Sequence, residues 1–190
     1  YHAFSEDKEI KIPYPMLFQS NNKRFKKHRV KAANFLMVFR PGCTYCLRRD
    51  FFNSIFGIWI DGVSHDTFIY HQSLINDSAF LFNYRAIHFR RHRNNNSPIH
   101  QRTKSARLDD FATSLNLIGE YKKNLDHLPA DNYNKVLVTL ETAEKFLICR
   151  RGFIKHPCFN SLLQLTKCGI NNYPAIRNFI GDLIIGFRQD

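Results

Sequence analysis

The chain has 190 residues, with 28 Lys and Arg against 16 Asp and Glu for a net charge of +12, and 44% hydrophobic residues that include 18 Phe. That is enough apolar volume for a packed core, in one domain or two small ones, without disulfide staples. No apolar run approaches the roughly 18 to 20 residues needed to span a bilayer, so a transmembrane segment is not expected.

Tyr1 stands where a start Met would, so sequence upstream of it is expected. Glu9 to Tyr14 alternates as a strand does, and Asn34 to Phe39 is a short apolar run closed by Pro41 and Gly42. Thr44 to Trp59 reads as a helix, while residues 67 to 90 fit helix and strand equally well. Arg91 to Arg107, with Asn94-Asn95-Asn96-Ser97-Pro98 inside it, has no apolar periodicity and reads as an exposed connection.

From there on the pattern is helical. Asp109 or Asp110 can cap a helix that places Phe111, Leu115, Ile118 and Tyr121 on one side and ends near Leu125. A second helix begins near Asp131, turns Leu137, Leu140, Phe146 and Leu147 inward, and stops at Gly152 behind Arg150 and Arg151. Pro157 opens a third that Gly169 ends, and Pro174 opens a fourth. The expected class is α+β: a mixed N-terminal half over 1–90 with a few short strands, a basic exposed connection over 91–108, and a C-terminal four-helix bundle over 109–190. Its core should contain Leu137, Leu140, Phe146, Phe159, Leu162, Ile176, Phe179, Ile180 and Leu183.

Charge is segregated. From Ile10 to Arg49 there is no Asp or Glu but ten Lys and Arg, and from Ser78 to Leu108 there is again no acid but seven more cations. A merely solvated surface mixes its signs. The first stretch holds Lys23, Arg24, Phe25, Lys26, Lys27, His28, Arg29 and Lys31; the second holds Arg85, Arg90, Arg91, Arg93, Arg102, Lys104 and Arg107. Dense cations gain affinity for phosphate polymers by releasing condensed counterions, and an interleaved aromatic can stack on an unpaired base. A solvated run or a localisation signal is the plainer reading of one cluster; two clusters favour an anionic partner.

The five cysteines are scattered and odd in number, which argues against a secreted disulfide scaffold and for an intracellular, reducing compartment. Cys149 and Cys168 fall on apolar helical faces and read as buried free thiols. Cys43-Thr44-Tyr45-Cys46 lies between a strand-like run and a helix-like one, with Arg40, Arg48 and Arg49 near enough to favour a thiolate. The string Phe35 to Arg49, within residues 34–54, resembles the active-site strand, turn and helix of glutaredoxins and other thioredoxin-fold proteins. The resemblance implies a thiol–disulfide oxidoreductase with Cys43 as nucleophile and Cys46 as resolving thiol. Cys43 and Cys46 with His156 and Cys158, or with Cys149, are also ligand types that tetrahedral zinc accepts, so the expected cofactor is none, with zinc as the alternative. Cys43 to Arg49 fits the C-x5-R spacing of a phosphate loop, but Tyr45, Cys46 and Leu47 are too bulky for backbone amides to wrap an anion.

The expectation is therefore a non-enzymatic basic protein that binds RNA or DNA through residues 23 to 31 and 85 to 107, with the helical half as scaffold or protein contact. The alternatives are the Cys43/Cys46 oxidoreductase and an adaptor for an anionic membrane surface.

Overall fold

Helices dominate the described residues, 2–4, 25–36, 42–82, 88–90, 103–173 and 176–188, of this computed structural model. In chain order the elements are β1 (His2–Phe4), β2 (Phe25–Lys27), 3-10 helices over Ala32–Leu36 and Gly42–Thr44, α1 (Arg49–Phe56), α2 (His65–Ile75), β3 (Phe80–Phe82), β4 (His88–Arg90), α3 (Lys104–Lys123), α4 (Ala130–Lys155), α5 (Phe159–Lys167), a 3-10 turn over Ile170–Asn172, and α6 (Ile176–Phe187). Strands β1 and β4 pair in parallel and β2 and β3 antiparallel, so among the described residues, which are mostly helical, there are two short strand pairs, in keeping with the α+β class. The strand expected over Glu9 to Tyr14 lies outside the described residues. The described residues of the ambiguous stretch 67 to 90 contain most of α2 together with β3 and β4.

Helix α4 is the hub. Val136, Leu140, Ala143, Leu147, Arg150 and Ile154 are all buried at alternating spacings of four and three, a stripe that a 3.6-residue period keeps on one side. α3, α5, α6 and the Ala32–Leu36 turn each pack on this helix. The two halves share one core: Val30 and Phe35 join Phe68 and Leu74 of α2, Ile118 and Tyr121 of α3, and Phe146 of α4.

Several helix boundaries differ from expectation for identifiable reasons. Helix α3 begins at Lys104, because Thr103 accepts a hydrogen bond from the Ala106 N–H at 3.2 Å and takes the capping role expected of Asp109 or Asp110. Residues 104–108 are thus helical rather than an exposed connection. Helix α4 runs through Gly152 to Lys155. An interior Gly costs about 1 kcal/mol, and burying Phe153 and Ile154 just beyond it returns roughly 1.5 to 3 kcal/mol each. Gly169, at φ +103°, follows α5 as expected.

The rotation of α6 is the largest correction. Phe159, Ile176 and Ile180, expected in the core, are 78%, 66% and 48% exposed, whereas Leu140 and Phe146 are buried and Leu137, Leu162, Phe179 and Leu183 pack against the core. The inner face of α6 is Phe179, Asp182, Leu183 and Gly186, spaced three, one and three. Asp182 is fully buried and accepts from Arg150 Nε at 2.6 Å and Nη2 at 3.0 Å, from the Tyr173 hydroxyl at 2.9 Å and from Arg107 Nη2 at 3.1 Å. Arg150 in turn lies 4.8 Å from the ring centroids of both Phe111 and Tyr173. This carboxylate is therefore the centre of an ion-pair network, and its inward aim turns Ile176, Ile180 and Ile184 outward. At Gly186 a side chain would meet Phe153 of α4 at 2.8 Å, so the two helices touch where only glycine fits.

Cys149 and Cys168, expected as free thiols, form a disulfide with their Cα atoms 6.8 Å apart. The connection between α4 and α5 is short, α5 folds back on α4, and its C-cap, Cys168, arrives beside Cys149.

Candidate functional site

Residues from the two acid-free stretches meet in the β2–β3 ribbon. Phe25 stands opposite Phe82, Lys26 opposite Leu81 and Lys27 opposite Phe80. Side chains alternate along a strand, so Phe25, Lys27, Phe80 and Phe82 share one face. Phe25, Phe80 and Phe82 are 67%, 61% and 50% exposed, and the Phe25 and Phe82 rings stack with centroids 4.7 Å apart.

The ribbon is held to the end of α2. That helix closes at Asn76, and Asp77 follows at φ 50°, a left-handed conformation that Asp tolerates better than most residues. Lys27 Nζ donates to Asp77 Oδ2 at 2.5 Å, and the His28 N–H donates to the Ala79 carbonyl at 2.8 Å.

Past the ribbon the chain alternates again, with Arg29 and Lys31 exposed and Val30 and Ala32 buried. The His28 ring is pinned as well. The Asn34 side-chain amide contacts His28 Nε2 and donates to the Tyr70 hydroxyl at 2.9 Å, and that hydroxyl lies 3.1 Å from His28 Nε2. Lys26, Arg29 and Lys31 thus project from a fixed backbone, which forfeits less conformational entropy on binding than a loose basic arm would. Among the described residues, Lys27 is the one of these four cations that is ion-paired.

Behind this segment His71 Nδ1 lies 3.2 Å from the Tyr121 hydroxyl, with the Phe35 ring centroid 5.0 Å from the imidazole. Burial pushes the His71 pKa down to about 4, against a weaker upward pull from the Asn34 backbone, and burial pushes the Tyr121 hydroxyl up. Both are neutral at pH 7, so they support the site by packing and add no charge to it.

The other expected contact residues fall elsewhere. Lys23, Arg24, Arg85, Arg91, Arg93 and Arg102 lie outside the described residues, and Arg90 is the last residue of β4. Arg107 is turned toward Asp182 and lies 5.1 Å from the Phe111 ring centroid. Lys104 borders an open cleft of about 550 Å³ together with Lys155 and Arg188. Those last two cations were missed by the sequence reading because they lie outside the acid-free stretches. Lys155 is the last residue of α4 and Arg188 follows the last residue of α6, positions where a cation also offsets the helix dipole.

Cys43 and Cys46 are exposed free thiols. Cys43 sits in the Gly42–Thr44 turn, and α1 begins only at Arg49, so neither thiol occupies the helix N-terminus that the glutaredoxin-like arrangement implies. Ahead of the pair, Ala32–Leu36 is a 3-10 helix where a strand was expected, and residues 37–41 lie outside the described set. Cys158 is also exposed and free, and its pKa is drawn down by the Ser161 hydroxyl. Among the described residues no three His, Cys, Asp or Glu side chains gather as a metal site needs, and Cys43, Cys46, His156 and Cys158 are not brought together. Nor is any described helix long and apolar enough to cross a membrane. Comparison with protein-family models, with curated proteins and with solved structures returned no match.

Proposed function

We propose that this chain is a basic, non-enzymatic protein that binds RNA or DNA through the β2–β3 ribbon and the segment that follows it. One observation supports the reading above the others: the ribbon takes one strand from each acid-free stretch and carries exposed aromatic rings with Lys27 on one face and Lys26 on the other, Arg29 and Lys31 following just beyond. Cations alone would serve any polyanion. Cations interleaved with exposed rings match a ligand that offers both phosphates and flat bases. In this reading the four C-terminal helices form a bundle that carries the ribbon, joined to it through the Ala32–Leu36 turn packed on α4.

The test is the salt dependence of affinity for a labelled oligonucleotide. Four phosphate contacts on a single strand predict a log–log slope of about −3, and Lys26→Gln, Arg29→Gln and Lys31→Gln together should bring it to about −1. Binding that is insensitive to salt contradicts the proposal.

A further inference from the structure

We infer that the ligand of the β2–β3 face is an unpaired stretch of nucleic acid, its bases stacked on Phe25, Phe80 and Phe82 and its phosphates held by Lys27 and by Arg29 and Lys31 just beyond the ribbon; this rests on the nucleic-acid reading above. Exposing a large aromatic is unfavourable, and the ribbon exposes three by half or more within six strand residues. The rings are not loose. Strand pairing fixes their backbones, and Phe25 and Phe82 stack on one another across the ribbon at an interplanar angle of 29°.

Spacing favours a single strand over a duplex. Phe80 and Phe82 lie two residues apart on one strand, roughly 6.6 to 6.8 Å along it. That is about twice the 3.4 Å rise between neighbouring bases of a duplex strand. Rings at this interval can enter between the bases of an extended strand, whereas a duplex already stacks its bases on each other and offers this face little but phosphate. Charge complementarity supplies the rest: Lys27 shares the ring face, and exposed Arg29 and Lys31 follow it on a stretch that has no acid between Ile10 and Arg49.

The test uses the full chain and the double variant Phe25→Leu with Phe80→Leu, which keeps apolar bulk at both positions but removes the π-faces. Affinity is measured for a homopyrimidine single strand, for a duplex of equal length and for vesicles containing phosphatidylserine. The wild-type protein should prefer the single strand. The variant should lose on the order of tenfold per ring for it, with an unchanged salt slope and unchanged duplex binding. A variant that binds the single strand as the wild type does overturns the stacking inference and leaves the nucleic-acid reading standing. A wild-type protein that binds neither oligonucleotide overturns that reading as well, and vesicle binding that survives in the leucine variant assigns the face to a membrane. Both positions are exposed, so the variant should fold; a matched melting curve verifies this, and Phe80→Leu alone repeats the test if it does not.

Discussion

Asp182 has no solvent exposure and four hydrogen bonds from three donors, Arg150, Arg107 and Tyr173. Burial, with the adjacent carboxylate second, pushes the Tyr173 hydroxyl pKa up, so it remains a donor to Asp182. A buried ion pair adds little over a well-packed apolar replacement, but breaking it from one side strands the other charge. Asp182→Asn should therefore lower the unfolding free energy by about 3 to 5 kcal/mol, measured by urea titration, while Asp182→Leu combined with Arg150→Met should recover most of that loss. A loss below about 1 kcal/mol for the single variant would show that the network contributes little. None of this was legible in the sequence. An Asp in an apolar helix and an Arg beside another Arg read as solvent-facing until their partners, 32 positions apart, are seen to meet.

At the scale of elements, the C-terminal helices were legible because long periodic segments declare themselves; all four are present, although α3 begins about a turn and a half before the cap expected at Asp109 or Asp110. The rotation of α6 was not legible. Ile176, Ile180 and Ile184 make as good a stripe as Phe179 and Leu183, and only the buried Asp182 between the latter two decides which faces the core. The disulfide was hidden for a similar reason: sequence shows that Cys149 and Cys168 are on helices but not that α5 folds back to bring them together. Their bond closes a loop across a separation of 19 positions. Cys149→Ser with Cys168→Ser should accordingly lower the unfolding free energy by about 3 kcal/mol, through a less restricted unfolded chain. The check is a comparison of urea midpoints with and without reductant: reductant should shift the wild-type protein toward the variant and leave the variant where it is. An unchanged wild-type midpoint would mean the bond does not constrain the unfolded state.

At the scale of the whole molecule, charge segregation was plain in the sequence and its spatial consequence was not. Strands of three residues carry too little alternation to be recognised, and β2 and β3 are separated by more than fifty positions. Their pairing sets the cations of the first acid-free stretch against two exposed rings of the second, on a backbone anchored by Val30, Ala32 and the contacts among His28, Asn34 and Tyr70. In the proposed function this surface meets nucleic acid as a unit. Its most direct test is amide chemical-shift mapping during titration with a single-stranded oligonucleotide. Phe25 to Lys31 and Phe80 to Phe82 should shift together along one saturating curve, while the outward face of α6 at Ile176, Ile180 and Ile184 stays still. Shifts confined to α6, or to one strand of the ribbon without the other, would contradict the account.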